Sequence, residues 1–495
     1  MIKNFFLELK GNLLNLFCLF VFFFFLSFSL WLIKLFGSTT YYIEIIYNLL
    51  LAYDGTKQSP LSYKIDFLLT VINTPIFLSV IFFFIIKKIK DFFKKNNFRE
   101  IFLAKLILNY KVYPFIGLCF FLVQFKFYDH FFEYSEFKDK AGLYNDPRAI
   151  SFNNPTNKKN LILIYFESLE YGIESLQQES PIKLINEIEG KNIYDFKPAS
   201  GATWSIAGVA SSMCGIPLHL SVGIDFFKKN KKKFYCVGDV LNKNGYSQNF
   251  FITVGQGFHG FGKFFTRQGY NVYDRFNIKA ERPDISNTGW GRGIQDDDFI
   301  DFIKNKIIEK HKKKELFNIT FITTDTHHPF ESSKKCKIKV PESKDINSKS
   351  IKAYKCTSLF LNKFVKDLTD AGVMDNTVLI IMGDHLADGK VNKIKKNANR
   401  SVYFKINTKK KLIRKKMTHF DVAPTILDEL GFMPKNLSSF GFGKSLLSNN
   451  ENYNYDTHYQ NIMDPRIIND KYMVDLFEFE ENKLRSKPNF WELNK

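Results

Sequence analysis

The sequence predicts an α/β sandwich built on a mainly parallel central sheet, preceded by an N-terminal region of membrane-spanning helices. Three observations predict it. Two uncharged, mostly apolar runs, Leu13–Ile33 and Phe67–Ile86, lie near the start of the 495 residues. From about residue 157 short apolar strands alternate with helical stretches of roughly 10–15 residues, the rhythm of strands joined by crossover helices. Acidic and histidine residues then follow several of those strands directly, where open α/β sheets gather their functional groups.

Each apolar run matches the roughly 20 residues a helix needs to cross about 30 Å of hydrocarbon. A cleavable signal peptide is the alternative for the first; it fits poorly, because the stretch is too long and no small-residue cleavage site follows. A third candidate, Leu106–Phe125, is interrupted by Lys111. Tyr41–Tyr53 is shorter, carries Glu44 and reads as interfacial or re-entrant. The densest basic flank, Lys87–Lys105, belongs in the cytoplasm by the positive-inside rule. Three spans then place everything after about residue 126 outside. The expected layout is an anchor of about three helices over 1–130, a linker over 131–158, a catalytic domain over 159–450 and a C-terminal extension over 451–495.

Net charge is +20, with 55 Phe and 23 Tyr against 4 Trp. The basic residues fall in short Lys runs (Lys87–Lys95, Lys228–Lys233, Lys310–Lys314, Lys409–Lys416) without any nucleic-acid-binding signature. They read as solvated surface, or as attraction toward anionic lipid at a bilayer. No nucleic-acid partner is expected. Of six cysteines, Cys18 and Cys119 lie in apolar spans. The rest, Cys214, Cys236, Cys336 and Cys356, make an even set compatible with disulfides in an oxidising compartment. Of the three connectivities the sequential pairs Cys214–Cys236 and Cys336–Cys356 are favoured; buried reduced thiols are the alternative.

Strands are expected at Asn160–Phe166, Ser247–Thr253, Phe317–Thr323 and Thr377–Met382. Helices are expected over Thr203–Met213, Asp297–Lys312, Ser358–Ala371 and Phe420–Leu430. Glu167 follows the first strand and Asp384-His385 the last. Two carboxylates and an imidazole so placed suit Mn²⁺, Mg²⁺ or Zn²⁺. Thr203 sits at the expected start of a helix, where threonine is usually an N-cap. Bound to a cation its hydroxyl would be acidified, and the free N–H groups there favour a phosphate. His327, in Thr326-His327-His328-Pro329, titrates near neutral pH and suits proton transfer. His259 and Arg267 could clamp phosphate or glycerol hydroxyls, with a solvated loop as the plain alternative.

Together these residues resemble the phosphoglycerol transferases of the alkaline-phosphatase/sulfatase superfamily, a group that includes the lipoteichoic acid synthases and the enzymes decorating periplasmic glucans. The resemblance is carried by Tyr165-Phe166-Glu167-Ser168-Leu169-Glu170, Thr203-Trp204-Ser205-Ile206-Ala207-Gly208 and Cys214-Gly215-Ile216-Pro217-Leu218. Further along come Cys236-Val237-Gly238-Asp239-Val240-Leu241, Trp290-Gly291 with Asp296-Asp297, Asp325-Thr326-His327-His328-Pro329 and Asp384-His385-Leu386-Ala387. It covers roughly residues 160–432.

The resemblance implies an alkaline-phosphatase-like α/β/α sandwich. It implies metal ligation by Glu167, Thr203, Asp384 and His385, with Thr203 also the nucleophile and His327 a substrate-binding or acid/base residue. It further implies a divalent metal (Mn²⁺ first, Mg²⁺ or Zn²⁺ otherwise), phosphatidylglycerol as lipid donor, and a glycan or glucan acceptor. The setting would be the bacterial inner membrane, with the catalytic domain on the periplasmic side. Where lipoteichoic acid synthases place a tryptophan near the clamp arginine, Phe264 and Phe265 precede Arg267 here. A phosphoethanolamine transferase and a catalytically silent membrane scaffold on the same fold are the rival readings. A sulfatase would need a C/S-x-P-x-R motif, which Cys214-Gly215-Ile216-Pro217 does not form.

Overall fold

The computed structural model describes residues 12–36, 65–95, 109–125, 144–199, 201–218, 235–333, 335–340, 346–387, 393–448 and 455–463. Tyr41–Tyr53, Lys228–Lys233, the first part of the expected linker (131–143) and most of the expected C-terminal extension lie outside the described residues.

A continuous apolar run folds as a strand when both sheet faces are covered, since successive side chains then point into two different cores. Strand β1 (Asn160–Phe166) shows this: all seven residues are buried. Leu161, Leu163 and Tyr165 enter one apolar cluster, whereas Ile162, Ile164 and Phe166 enter the other. The remaining strands are β2 (Lys191–Asn192), β3 (Asp195–Phe196), β4 (Ser247–Ile252), β5 (Asn271–Tyr273), β6 (Phe317–Ile322) and β7 (Thr377–Gly383). After them come β8 (Phe404–Ile406), β9 (Lys416–Met417), β10 (Ser439–Phe440) and β11 (Gly443–Lys444).

Seven strands form the central sheet in the order β2-β8-β7-β1-β6-β4-β5. The five from β7 to β5 are parallel, and β8 and β2 close one edge antiparallel. In register, Phe166 of β1 pairs with Gly383 of β7, and Tyr165 pairs with Ile322 of β6. The carboxyl ends of these three adjacent strands therefore finish level, and the residues after them share one rim of the sheet.

Helices cover both faces. Ser205–Cys214 and Val422–Glu429 contribute Val209, Met213, Ile426 and Leu427 to one cluster. Asp296–Lys312 and Ile346–Asp370 contribute Phe299, Ile303, Phe364 and Leu368 to the other. The last of these begins twelve residues before the expected Ser358. Its first turns carry Lys349, Ser350, Lys352 and Lys355 among buried Ile351, Ala353, Tyr354 and Cys356, so only one narrow face is apolar. The helix expected from Thr203 starts instead at Ser205, because Trp204 holds extended backbone (φ −138°, ψ 164°).

Among the described residues, two helical stretches, Leu13–Ile33 and Ile65–Phe93, are long and apolar enough to span a bilayer. The third expected span corrects to Tyr110–Gln124, 15 residues and too short alone for 30 Å of hydrocarbon. Within it Tyr113–Gln124 packs closely on Leu13–Phe36: a Cβ on Gly117 would lie 3.0 Å from the Phe22 backbone, and Phe121 stacks on Phe28 at 5.8 Å. Leu32, Phe121 and Phe125 belong to the same apolar cluster as Leu161, Leu163 and Tyr165 of β1, so these helices share a core with one face of the sheet. Both favoured disulfides are present, Cys214–Cys236 and Cys336–Cys356.

Candidate active site

Glu167 is the residue after β1 and is almost wholly buried. Its backbone N–H donates to Thr323 Oγ1 (3.2 Å) and its carbonyl accepts from Thr326 Oγ1 (2.7 Å), which ties it to the end of β6. The next residue, Ser168, takes φ +57°, a left-handed conformation costly for a side chain with a Cβ. Three contacts hold it there. Its N–H donates to Asp384 Oδ1 (2.8 Å), its hydroxyl donates to Glu167 Oε1 (2.7 Å), and its carbonyl accepts from Tyr354 (3.0 Å).

Asp384, fully buried, follows β7. Its Oδ1 accepts from the N–H groups of Ser168 and His385, and its carbonyl accepts from His419 Nε2 at 2.7 Å. Oδ2 has no hydrogen-bond donor among the described residues and lies 3.4 Å from His385 Nε2. His385 Nδ1 is 2.8 Å from the Leu386 carbonyl, which can only accept, so Nδ1 carries hydrogen and Nε2 is the end turned to the carboxylates. That Nε2 is 3.5 Å from Glu167 Oε1. Glu167, Asp384 and His385 thus present one oxygen, one oxygen and one nitrogen within 4.8 Å of each other.

The donor set fits a divalent cation. A buried carboxylate oxygen without a donor is costly unless something positive faces it, and an O, O, N set with a fixed imidazole tautomer is a common zinc or manganese arrangement. The electrostatics agree. Burial would raise Glu167, but the hydrogen bond and charge of His385, helped by His327 and Ser168, take it well below the ordinary carboxylate range. Burial and the charge of Glu167 push Asp384 up to about 7. His385, against its own burial, is raised to about 10 by the Asp384 charge and by Glu167. Two carboxylates this close compete for one positive partner.

Helix Ser205–Cys214 aims its amino end at this group. Ser205 Oγ lies 3.3 Å from Glu167 Oε2 and 3.2 Å from His385 Nε2. The N-cap residue, Trp204, makes no side-chain capping hydrogen bond. Thr203 is half-buried, two residues before the helix. Close approach is built into the helix at Gly208, where a Cβ would meet the Asp384 carbonyl oxygen at 1.9 Å.

His327 is carried by the turn after β6. Its Nδ1 is 2.8 Å from the His328 carbonyl, which also accepts from Trp290 Nε1 (2.9 Å), and its ring centroid is 4.1 Å from that of Trp290. His259 is reached from the turn after β4 with φ +45°, its ring 4.2 Å from that of Phe258. Burial, then the charge of His327, lowers His259 to about 4, and Glu167 and His385 also act on it, so these histidines share one neighbourhood. Arg267 is placed differently. It ends the helix Phe261–Arg267 that leaves the His259 turn, and the chain then enters β5 from its amino end, away from the rim that carries Glu167 and Asp384.

Sequence reasoning named Glu167, Asp384, His385, His327 and His259 but missed Ser205, Ser168, His419 and Trp290 as members of the site. Trp290, Ser168 and Ser205 stand in quoted segments and could have been flagged from them; nothing in the local sequence marks His419.

A family model described as sulfatase matches residues 159–432. The chain belongs to the sulfatase family. The expected α/β/α layering is present, a mainly parallel central sheet with helices on both faces. The chain is 28% identical over 329 residues to phosphoglycerol transferase I of Shigella flexneri, covering 63% of this chain and 41% of that protein. It is 26% identical over 305 residues to phosphoglycerol transferase I of Xanthomonas campestris pv. campestris (strain B100), covering 59% and 43% respectively. The chain therefore spans about two-fifths of the length of the curated relatives it matches. Among solved structures it is similar to the lipoteichoic acid synthase LtaP from Listeria monocytogenes, with a TM-score of 0.48 and 19% identity over 61% of this chain and 80% of that one.

Proposed function

We propose that this chain is a membrane-anchored phosphoglycerol transferase. It takes phosphoglycerol from phosphatidylglycerol and passes it to an extracytoplasmic glycan or glucan through a covalent adduct on Thr203. One observation supports the reading: the Glu167–Asp384–His385 group lies against the start of helix Ser205–Cys214, two residues after Thr203, so an anion-binding amino terminus faces residues that could hold a cation. The likeness to phosphoglycerol transferase I supports phosphoglycerol as the group moved.

A divalent cation held by Glu167, Asp384 and His385, with Mn²⁺ the first choice and Mg²⁺ or Zn²⁺ the others, would supply positive charge to the Thr203 hydroxyl and the phosphoryl oxygens. In the first half-reaction the Thr203 oxygen bonds to phosphorus. The bond from phosphorus to the diacylglycerol oxygen breaks, and that oxygen takes a proton. In the second, an acceptor hydroxyl bonds to phosphorus, the Thr203 oxygen leaves and the acceptor's proton is taken up. His327 suits the proton transfers: with Nδ1 fixed on a carbonyl, Nε2 is free to give or receive. His259, kept neutral by burial, is an uncharged hydrogen-bonding group for glycerol or phosphate oxygens. Arg267 could join such a clamp only from the far end of its helix. The disulfides support an oxidising, extracytoplasmic setting, and the apolar helices support attachment to the bacterial inner membrane.

The test is incubation of the detergent-purified protein with labelled phosphatidylglycerol and Mn²⁺, beside Thr203→Ala, with diacylglycerol as the readout. Release by the wild type and its loss in a folded Thr203→Ala supports donor and nucleophile together. Cleavage of phosphatidylethanolamine instead would make the chain a phosphoethanolamine transferase. Silence on both lipids would favour a membrane scaffold.

A further inference from the structure

We propose that His419 is a positioning residue for the site: its ring N–H pins the peptide between Asp384 and His385, and with it the direction of both side chains. The metal half of the inference rests on the cation-binding reading of Glu167, Asp384 and His385; the pinning of the peptide does not.

A trans peptide is planar, so the Asp384 carbonyl and the His385 N–H lie in one plane and point in opposite directions. Both ends of this plane are held. His419 Nε2 is 2.7 Å from the Asp384 carbonyl oxygen, and the His385 N–H donates to Asp384 Oδ1 at 3.0 Å. A carbonyl only accepts, so Nε2 carries the hydrogen. Turning the plane would break both bonds together. The Cα atoms that carry the Asp384 carboxylate and the His385 imidazole stand at its two corners. One hydrogen bond from a distant segment therefore sets the aim of two site groups.

The donor itself is rigidly mounted. His419 is fully buried and opens the turn His419–Asp421, which leads into helix Val422–Glu429. That turn is closed from both sides: the Phe420 N–H donates to Thr418 Oγ1 (3.2 Å), and the Thr418 N–H donates to Asp421 Oδ2 (2.8 Å). The His419 ring meets Phe196 edge-on, with centroids 4.7 Å apart. On the helix side Gly208 leaves the room, since a Cβ there would lie 3.3 Å from His419 Nε2. Packing alone does not explain a histidine in this place. Its Nδ1 has no hydrogen-bond partner among the described residues, and a buried bare nitrogen carries a cost that an apolar side chain would not. What the histidine adds is one N–H aimed at Asp384.

The experiment compares wild type, His419→Gln and His419→Leu as full-length protein in detergent. The glutamine amide nitrogen stands as many bonds from Cβ as Nε2 does and restores the N–H, whereas leucine fills the space without a donor. In chelator-treated protein, hydrogen–deuterium exchange at the His385 amide should speed up about tenfold in His419→Leu and stay within about threefold of wild type in His419→Gln. Mn²⁺ affinity by calorimetry should follow the same order, falling about tenfold or more in His419→Leu alone. Exchange and affinity both unchanged in His419→Leu would overturn the assignment. Equal losses in the two variants would overturn it too, by tracing the effect to packing around the ring. A wild type that binds no Mn²⁺, with exchange still following the N–H, would sink the cation reading and leave the pinned peptide standing.

Discussion

Glu167 and Asp384 leave water together, yet only one is held firmly ionised. Glu167 has Ser168 and Ser205 hydroxyls and the His385 imidazole around it, whereas Asp384 Oδ2 accepts no hydrogen bond among the described residues and lies 3.4 Å from His385 Nε2. Asp384 is therefore the residue that gains most from a cation, and proton and metal compete for it near pH 7. Removing its charge while keeping its shape should cost the site its metal: Asp384→Asn, and Glu167→Gln with it, should lower Mn²⁺ content of the purified protein by at least tenfold, measured by elemental analysis. Full occupancy in both variants would remove these residues from the ligand set. These residues were legible because each ends a conspicuous apolar strand. His419 was not. A histidine in Thr418-His419-Phe420 acquires its role only when distant segments meet, as the 2.7 Å contact between His419 and the Asp384 carbonyl shows.

At the scale of elements the decisive contact is between helix Ser205–Cys214 and the turn after β7. Gly208 touches the Asp384 backbone, and any Cβ there must push the helix or the turn aside. Gly208→Ala should destabilise the domain by about 1–3 kcal/mol, the range for overpacking a dense interior, and should weaken Mn²⁺ binding as well. Thermal unfolding with and without Mn²⁺ checks both; an unshifted melting temperature would mean that the helix can move freely. The long strands were legible for the same reason that they are stable: β1, β6 and β7 lie inside a parallel sheet, and burial on both faces writes them as unbroken apolar runs. Strands β2, β3 and β8 were not, since two or three residues carry no period and are fixed only by their neighbours. The first half of helix Ile346–Asp370 escaped because most of its circumference is polar.

Across the whole molecule, a second pair of buried carboxyls makes stability depend on pH. Asp296 and Asp325 exchange backbone hydrogen bonds, each N–H donating to the other's carboxylate at 3.2 Å, and both side chains are out of solvent. Burial, only partly offset by the hydrogen bonds that its carboxylate accepts, raises Asp296 to about 6; burial and the Asp296 charge raise Asp325 well above its usual value. The folded state therefore binds more protons than the unfolded one once pH exceeds about 4. Stability is fullest below that point and falls as pH rises through 6 and beyond. Asp325→Asn, whose amide oxygen can still accept from Asp296, should flatten this decline and be more stable than wild type by about 1–3 kcal/mol at pH 7.5. The two proteins should match near pH 4, with denaturant unfolding at both pH values as the check. Identical pH dependence would show that the pair does not carry the extra proton. No sequence pattern announces the pair, because Asp296 and Asp325 stand in separate quoted segments 29 residues apart and meet only in the fold.

The sheet order also governs when the site can exist at all. Strand β1 pairs on one side with β6 and on the other with β7, so Ser168 must wait for Asp384, 216 residues further along the chain, and Asp384 waits in turn for His419. A nascent chain that has emerged only as far as β6 owns Glu167, Ser205 and His327 but has no site, and a chain truncated before β7 is inert rather than partly active. Closing contacts of such long range makes assembly slow. It also makes it all-or-none: the catalytic group is completed only when nearly the whole domain is available to fold.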